Sequence, residues 1–184
     1  MNTLETINTP IGGYAPDFEL PGTDHQVHHL SRYLEKFRAV GVISLCNHCP
    51  FVKSYIYRLK EIQNRFSASG VTLIGLNGDE NNQLPGENFE QMQLFAQEWE
   101  LNFPYIWDPT QDVVRSFGAI ATPMAFLIDQ TGVVRYRGQI DDSPYYPQLA
   151  KKHYLQQAIA CLLQQKTIPV SETPPLGTTL VWRN

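Results

Sequence analysis

Cys46-Asn47-His48-Cys49-Pro50 is the stretch that decides how the rest of the chain reads. It follows the apolar run Ala39-Val40-Gly41-Val42-Ile43-Ser44-Leu45, and after it Val52, Tyr55, Ile56, Leu59, Ile62 and Phe66 recur at helical spacing. The pattern predicts a buried strand that delivers two cysteines to the first turn of an amphipathic helix. Asn47 is a candidate cap for that helix, and Pro50 suits a first turn, where an amide has no intrahelical acceptor in any case. Two thiols so placed have a chemical use. Unpaired N–H groups and the positive end of the helix dipole stabilise a thiolate, the form that attacks disulfides, and the second thiol can resolve the mixed disulfide.

Other uses of the pair fit less well. Zinc needs two further ligands, and the chain offers only Cys161 and scattered histidines, with no second C-x-x-C. Haem attachment needs histidine after the second cysteine, where Pro50 stands. An inert buried pair remains open as the alternative to redox chemistry.

At 184 residues the chain suits one domain with a substantial core and short extensions. A net charge of −4 without a lysine or arginine cluster gives no footprint for nucleic acid or an anionic membrane. The first residues lack a basic start followed by an apolar core, and no apolar run approaches a membrane span. A cytoplasmic address is therefore expected. Three cysteines, two of them in C-x-x-C, suit a reducing compartment.

Outward from the motif, Asp17-Phe18-Glu19-Leu20 followed by Pro21-Gly22 predicts a small hairpin, then a helical turn at 30–34 with Ser31 as cap. His25, His28 and His29 fall in this region and are expected to be exposed turn residues rather than ligands. Val71–Asn77 reads as a second buried strand. The polar loop 78–86 that follows lies at a strand's carboxyl end, where ligands bind in open α/β sheets, although a solvated connector is the plainer expectation.

Asn88 begins a helix carrying Phe89, Met92, Phe95, Ala96 and Trp99 on one face. Phe103–Trp107 suits an edge strand, and a short helix around Val113, Val114 and Phe117 ends at Gly118. Thr122-Pro123 precedes a hairpin of strands 124–128 and 133–136 that turns at Gly132. The last helix is expected over 149–163, with Cys161 a buried, unreactive thiol. The proline-rich tail ends in Thr179-Leu180-Val181-Trp182, a strand-like strap. Lys53 is expected in solvent, and Arg137 is a candidate ion-pair partner for Asp141 or Asp142.

Strand, C-x-x-C, helix, strand, helix, Thr-Pro, hairpin, helix is the order of the thioredoxin fold. Ala15-Pro16-Asp17-Phe18-Glu19-Leu20, the run from Cys46 to Lys53, and Tyr136-Arg137-Gly138-Gln139-Ile140-Asp141-Asp142 resemble the thioredoxin-like proteins of the alkyl hydroperoxide reductase and thiol-specific antioxidant (AhpC/TSA) group. Among these they are similar to a bacterial branch of thioredoxin family proteins. The resemblance implies a single α/β domain over 1–184: an N-terminal hairpin extension (1–35), a thioredoxin core (36–164) and a C-terminal tail (165–184). It also implies a thiol–disulfide oxidoreductase without bound cofactor or metal, served by a disulfide-containing protein or small molecule and a dithiol electron donor.

By that resemblance Cys46 is the nucleophile and Cys49 the resolving thiol. Asn47, His48 and Pro50 support them, and Thr122-Pro123 forms a cis peptide beside the sulfurs. Position suggests that Cys46 is the exposed, acidified thiol and that a side chain at His48 lies near its sulfur. Two departures narrow the reading. Where members of the branch carry further cysteines, this chain has Ala121 and Thr178, so no disulfide relay through those places is expected. A peroxidatic cysteine is preceded by proline seven residues back and threonine or serine three back, and here those places hold Ala39 and Ile43. A thiol peroxidase and a non-catalytic redox-sensing module are the alternatives.

Overall fold

In a computed structural model of the chain, residues 8–79 and 88–183 are described. Most of the polar loop at 78–86 and the start of the N-terminal segment therefore lie outside the described residues. A hairpin of β1 (Glu19–Pro21) and β2 (Val27–His29) leads into α1 (Leu30–Lys36) and β3 (Ala39–Ser44). Then follow α2 (Pro50–Ser67), β4 (Val71–Asn77), α3 (Phe89–Glu98), β5 (Tyr105–Trp107) and α4 (Asp112–Phe117). The chain closes with β6 (Ala121–Thr122), β7 (Met124–Asp129), β8 (Val134–Gly138), α5 (Tyr154–Leu163) and β9 (Thr178–Thr179).

The main sheet has the order β5-β4-β3-β7-β8, with β3, β4 and β5 parallel and β7 and β8 antiparallel to their inner neighbours. This is the mixed, helix-flanked sheet of the thioredoxin fold. Both faces of β3 are buried, as its continuous apolar run requires. Ile43 packs with Leu73, Ile56, Leu59 and Ile159 on the side of α2, α3 and α5. Val40 and Val42 pack with Ile74, Phe117 and Phe126 on the side of α1, α4 and the hairpin. Leu180 of the tail belongs to this second cluster.

Several sequence expectations are corrected here. Helix α2 starts at Pro50 with Cys49 as its N-cap residue, so neither cysteine lies within the helix, and Asn47 does not cap it. Proline disfavours helical backbone in the residue before it, which stops the helix one step short of the cysteines. Ser31 lies inside α1, whose N-cap is His29. His28 is buried rather than exposed, set between Asp24 and Tyr33.

The last helix begins at Tyr154 instead of 149. The Asp142 carboxylate accepts the Lys151 and Lys152 amides, which competes with helix formation there, and only one 3-10 turn forms at Pro147–Leu149. Cys161 is half-buried. Arg137 pairs with Glu172 of the tail, because Asp141 is already held by Arg58 at 2.6 Å and Tyr55 at 2.9 Å. Asn88 caps α3 as expected, its side chain accepting from the Gln91 amide at 2.8 Å, and Gly132 turns the β7–β8 hairpin with φ of 86°.

Candidate active site

The loop between β3 and α2 carries both cysteines, and three side chains fix it. Tyr105 donates its hydroxyl to Asn47 Oδ1 at 2.8 Å and accepts from Asn77 Nδ2 at 3.0 Å, so Asn47 is tied to the ends of β5 and β4. Ser44, the last residue of β3, donates to the Ala121 carbonyl at 2.7 Å and accepts the Met124 amide at 2.9 Å. That pair of bonds holds the Thr122-Pro123 segment, whose peptide bond is cis, against the start of the cysteine loop. Asn77, Tyr105 and Ser44 carry no periodicity or motif that sequence reasoning could use.

Around the sulfurs the contacts are close. The Cys46 Sγ lies 3.2 Å from Thr122 Oγ1, and the Cys49 thiol donates to the Thr122 carbonyl at 3.3 Å. Thr178 of the tail places its hydroxyl 3.0 Å from Cys49 Sγ. Both cysteines are 0% exposed, which corrects the expectation of an accessible Cys46. The acidified sulfur is also not the expected one. Cys49 is pulled down to about 5 from 9.0, first by the hydrogen bond from Cys46 and then, against burial, by those from Thr178, the Val52 amide and Thr122. The hydrogen bond between the two thus favours the charge on the Cys49 sulfur, with Cys46 as donor.

His48 and Asp79 flank Cys46. His48 Nε2 stands 3.9 Å from Asp79 Oδ2, with the imidazole 27% and the carboxylate 4% exposed. A donor atom from each of Cys46, His48 and Asp79 lies within 4.8 Å of the other two. Sulfur, nitrogen and oxygen donors of this kind suit a thiophilic cation such as zinc by type, although the same grouping equally sets an imidazole beside a thiolate. Asp79 was not singled out from the sequence beyond its place in the loop at a strand's carboxyl end. That placement was the available signal. Pro50 is exposed at the first position of α2, and Lys53 points to solvent.

The AhpC/TSA family model matches residues 11–137, which span the hairpin, the cysteine loop, the cis-proline segment and most of β8. The chain belongs to the AhpC/TSA family. Within reach of this AhpC/TSA domain, the thiol–disulfide oxidoreductase ResA of Geobacillus thermodenitrificans is 30% identical over 68% of the chain and 67% of that protein. The crystal structure of a conserved protein from Geobacillus kaustophilus superposes with a TM-score of 0.87 at 31% identity, covering 95% of this chain and 93% of that one. A hypothetical protein from Sinorhizobium meliloti reaches the same TM-score at 26% identity, covering 96% of each chain.

Proposed function

We propose that the protein is a thiol–disulfide oxidoreductase whose redox couple is the Cys46–Cys49 dithiol. The observation that carries this reading is the hydrogen-bonded cysteine pair at the N-terminus of α2, set against Thr122 of the cis Thr122-Pro123 peptide, with the Cys49 thiol pulled down to about 5. At neutral pH such a pair carries the thiolate that exchange requires. The similarity to ResA supports the same reaction class.

Cys46 is the attacking sulfur in this proposal, because Cys49 is enclosed by the Thr122 carbonyl and the Thr178 hydroxyl, whereas Cys46 faces the partly exposed His48. Cys46 passes its proton to the adjacent Cys49 sulfur as it bonds to one sulfur of a substrate disulfide, whose S–S bond breaks, and the departing substrate thiolate takes a proton from solvent. Cys49 then attacks Cys46 Sγ and expels the second substrate thiol. The substrate has gained two electrons, the enzyme holds a Cys46–Cys49 disulfide, and a dithiol donor restores it. A cytoplasmic address, supported by the sparing use of cysteine, remains part of the proposal.

The test is capture and turnover. Cys49→Ser should accumulate mixed disulfides through Cys46 when offered oxidised protein substrates, whereas Cys46→Ser should not. Wild-type protein supplied with dithiol should reduce insulin disulfides far faster than hydrogen peroxide. Equal rates would transfer the assignment to peroxide chemistry.

A further inference from the structure

A dithiol with no exposed surface cannot meet a protein disulfide unless something moves, and the strap lies against it, the Thr178 hydroxyl 3.0 Å from Cys49 Sγ. β9 pairs antiparallel with β6, Thr178 opposite Thr122 and Thr179 opposite Ala121. The ladder continues with the Leu180 amide donating to the Ile120 carbonyl at 3.0 Å. Beyond it the Val181 amide donates to Asp79 Oδ1 at 2.7 Å, and Gln111 bonds to the Val181 carbonyl at 2.8 Å. The backbone edge beside cis-Pro123 is therefore filled by this chain's own residues.

We propose that residues 177–182 are a gate on the dithiol: the strap leaves the β6 edge as a unit, and the sulfurs meet a protein disulfide only while it is away. The inference rests on the thiol–disulfide reading above. The strap's hold on Thr122 and Ala121 runs through main-chain bonds, the mode by which an extended segment adds to a sheet edge. The residue opposite Thr122 is the one whose side chain reaches the sulfurs, as Thr178 does at 3.0 Å.

The strap is held for exchange rather than built in. Its ladder is two residues long, Thr178 and Thr179 are exposed on their outer side, and Leu180 is its one fully buried apolar anchor, 3% exposed. Gly177 is the position that lets it lie down. A Cβ there would sit 2.4 Å from the Thr122 carbonyl oxygen and 2.7 Å from its carbon, backbone atoms held by β6. Gly177→Ala therefore lifts the strap without removing any side chain that touches the sulfurs.

In the reduced wild-type protein, the factor by which iodoacetamide labelling is slowed relative to a free thiolate should equal the hydrogen-exchange protection of the Leu180 amide, since one opening governs both. Gly177→Ala should reduce both factors together by about tenfold, the effect of forcing a methyl group into a filled contact, and should lower KM for insulin more than it changes kcat. Labelling at the free-thiolate rate while Leu180 stays protected would overturn the proposal, and so would loss of protection without faster labelling. The wild-type comparison needs no variant and decides the matter even if Gly177→Ala folds poorly. Absence of insulin turnover in both proteins would sink the thiol–disulfide reading itself, with the match between labelling and exchange still deciding whether the strap is the gate.

Discussion

The N-terminal hairpin and the C-terminal strap are both thin additions to the same core, yet they are tied to it in opposite ways. The hairpin pairs with itself over three positions and carries its own polar centre, in which His28 Nδ1 lies 2.6 Å from the Tyr33 hydroxyl and Nε2 lies 2.9 Å from Asp24. With the ring proton on Nε2, both contacts are satisfied. Burial, then the charge of Asp24, pushes the Tyr33 hydroxyl up to about 12. The strap pairs with nothing of its own. Its partners are Ile120, Ala121, Thr122, Asp79 and Gln111, all parts of the core around the dithiol. The hairpin's tie to the core runs to β5, through the Thr23 amide on the Tyr105 carbonyl and the Gly22–Ile106 bridge, whereas the strap's bonds gather beside the dithiol, so the first stabilises the fold and the second also governs access to the site.

Truncating each extension at its buried centre gives the largest expected effects and the sharpest contrast. Leu180→Ala removes a buried leucine, a change that costs about 2–5 kcal/mol in a fixed core. Because the strap can leave as a unit, the loss in urea denaturation should fall near the lower end of that range, while thiol labelling accelerates. His28→Ala strips the partner from a half-exposed carboxylate and a half-buried hydroxyl and should cost about 1 kcal/mol, with labelling at the wild-type rate. Faster labelling in His28→Ala, or unchanged labelling in Leu180→Ala, would erase the distinction between the two extensions.

The hairpin was legible in the sequence for the same reason that the strap's role was not. Alternating residues, Pro21-Gly22 and a following apolar stripe are local signals, as are the β3 run, the C-x-x-C, the Asn88 cap and Gly132 at its turn. Thr178 carries no such signal, since its importance comes from the strand it lies against. Asp79, Asn77, Tyr105 and Ser44 are likewise ordinary residues whose roles arise where loops converge. Two errors came from local rules that competed with each other. Asn47 has the chemistry of a cap, but Pro50 delays the helix and Tyr105 takes the Asn47 side chain. The position of Cys46 ahead of the helix suggests exposure, but the residue has no exposed surface and its sulfur lies 3.2 Å from Thr122 Oγ1.

A smaller effect is expected at Thr178 itself. Its hydroxyl helps hold the Cys49 pKa near 5, so in wild type the labelling rate of the dithiol should be half-maximal near that pH and fall as pH drops through it. The folded value lies below the 9.0 of an unperturbed thiol. The charge therefore adds to the stability of the reduced protein fully above the unfolded pKa, and that contribution is lost as pH falls through the folded one. Thr178→Val keeps the shape and removes the donor, which should raise the midpoint by about one unit. The hairpin titrates in another window. There the Asp24 carboxyl is held below its usual range, burial being outweighed by hydrogen bonds from His28 and the Gln26 amide, so its contribution disappears only as pH falls through the carboxylate range. A midpoint in Thr178→Val equal to wild type would remove the strap from the electrostatics of the site and leave it a cover alone.

The smallest effect concerns the joint between strap and nucleophile. Asp79 receives the Val181 amide on Oδ1 and turns Oδ2 towards His48, so the carboxylate that anchors the strap also stands beside the imidazole flanking Cys46. An imidazolium there favours the thiolate and hence the reduced form, which makes the couple more oxidising. The carboxylate opposes it. His48→Gln should therefore yield a better reductant and Asp79→Asn a weaker one. Since His48 is partly open to solvent, each shift should be modest, about 10–30 mV, where about 30 mV corresponds to 1.4 kcal/mol for two electrons. Asparagine can still accept the Val181 amide, so Asp79→Asn tests the charge without releasing the strap. Equilibration of the three proteins against a glutathione series reads the potentials directly. Opposite displacements would establish that His48 and Asp79 act on the couple by charge, and displacements of the same sign would show that both variants merely loosen the strap.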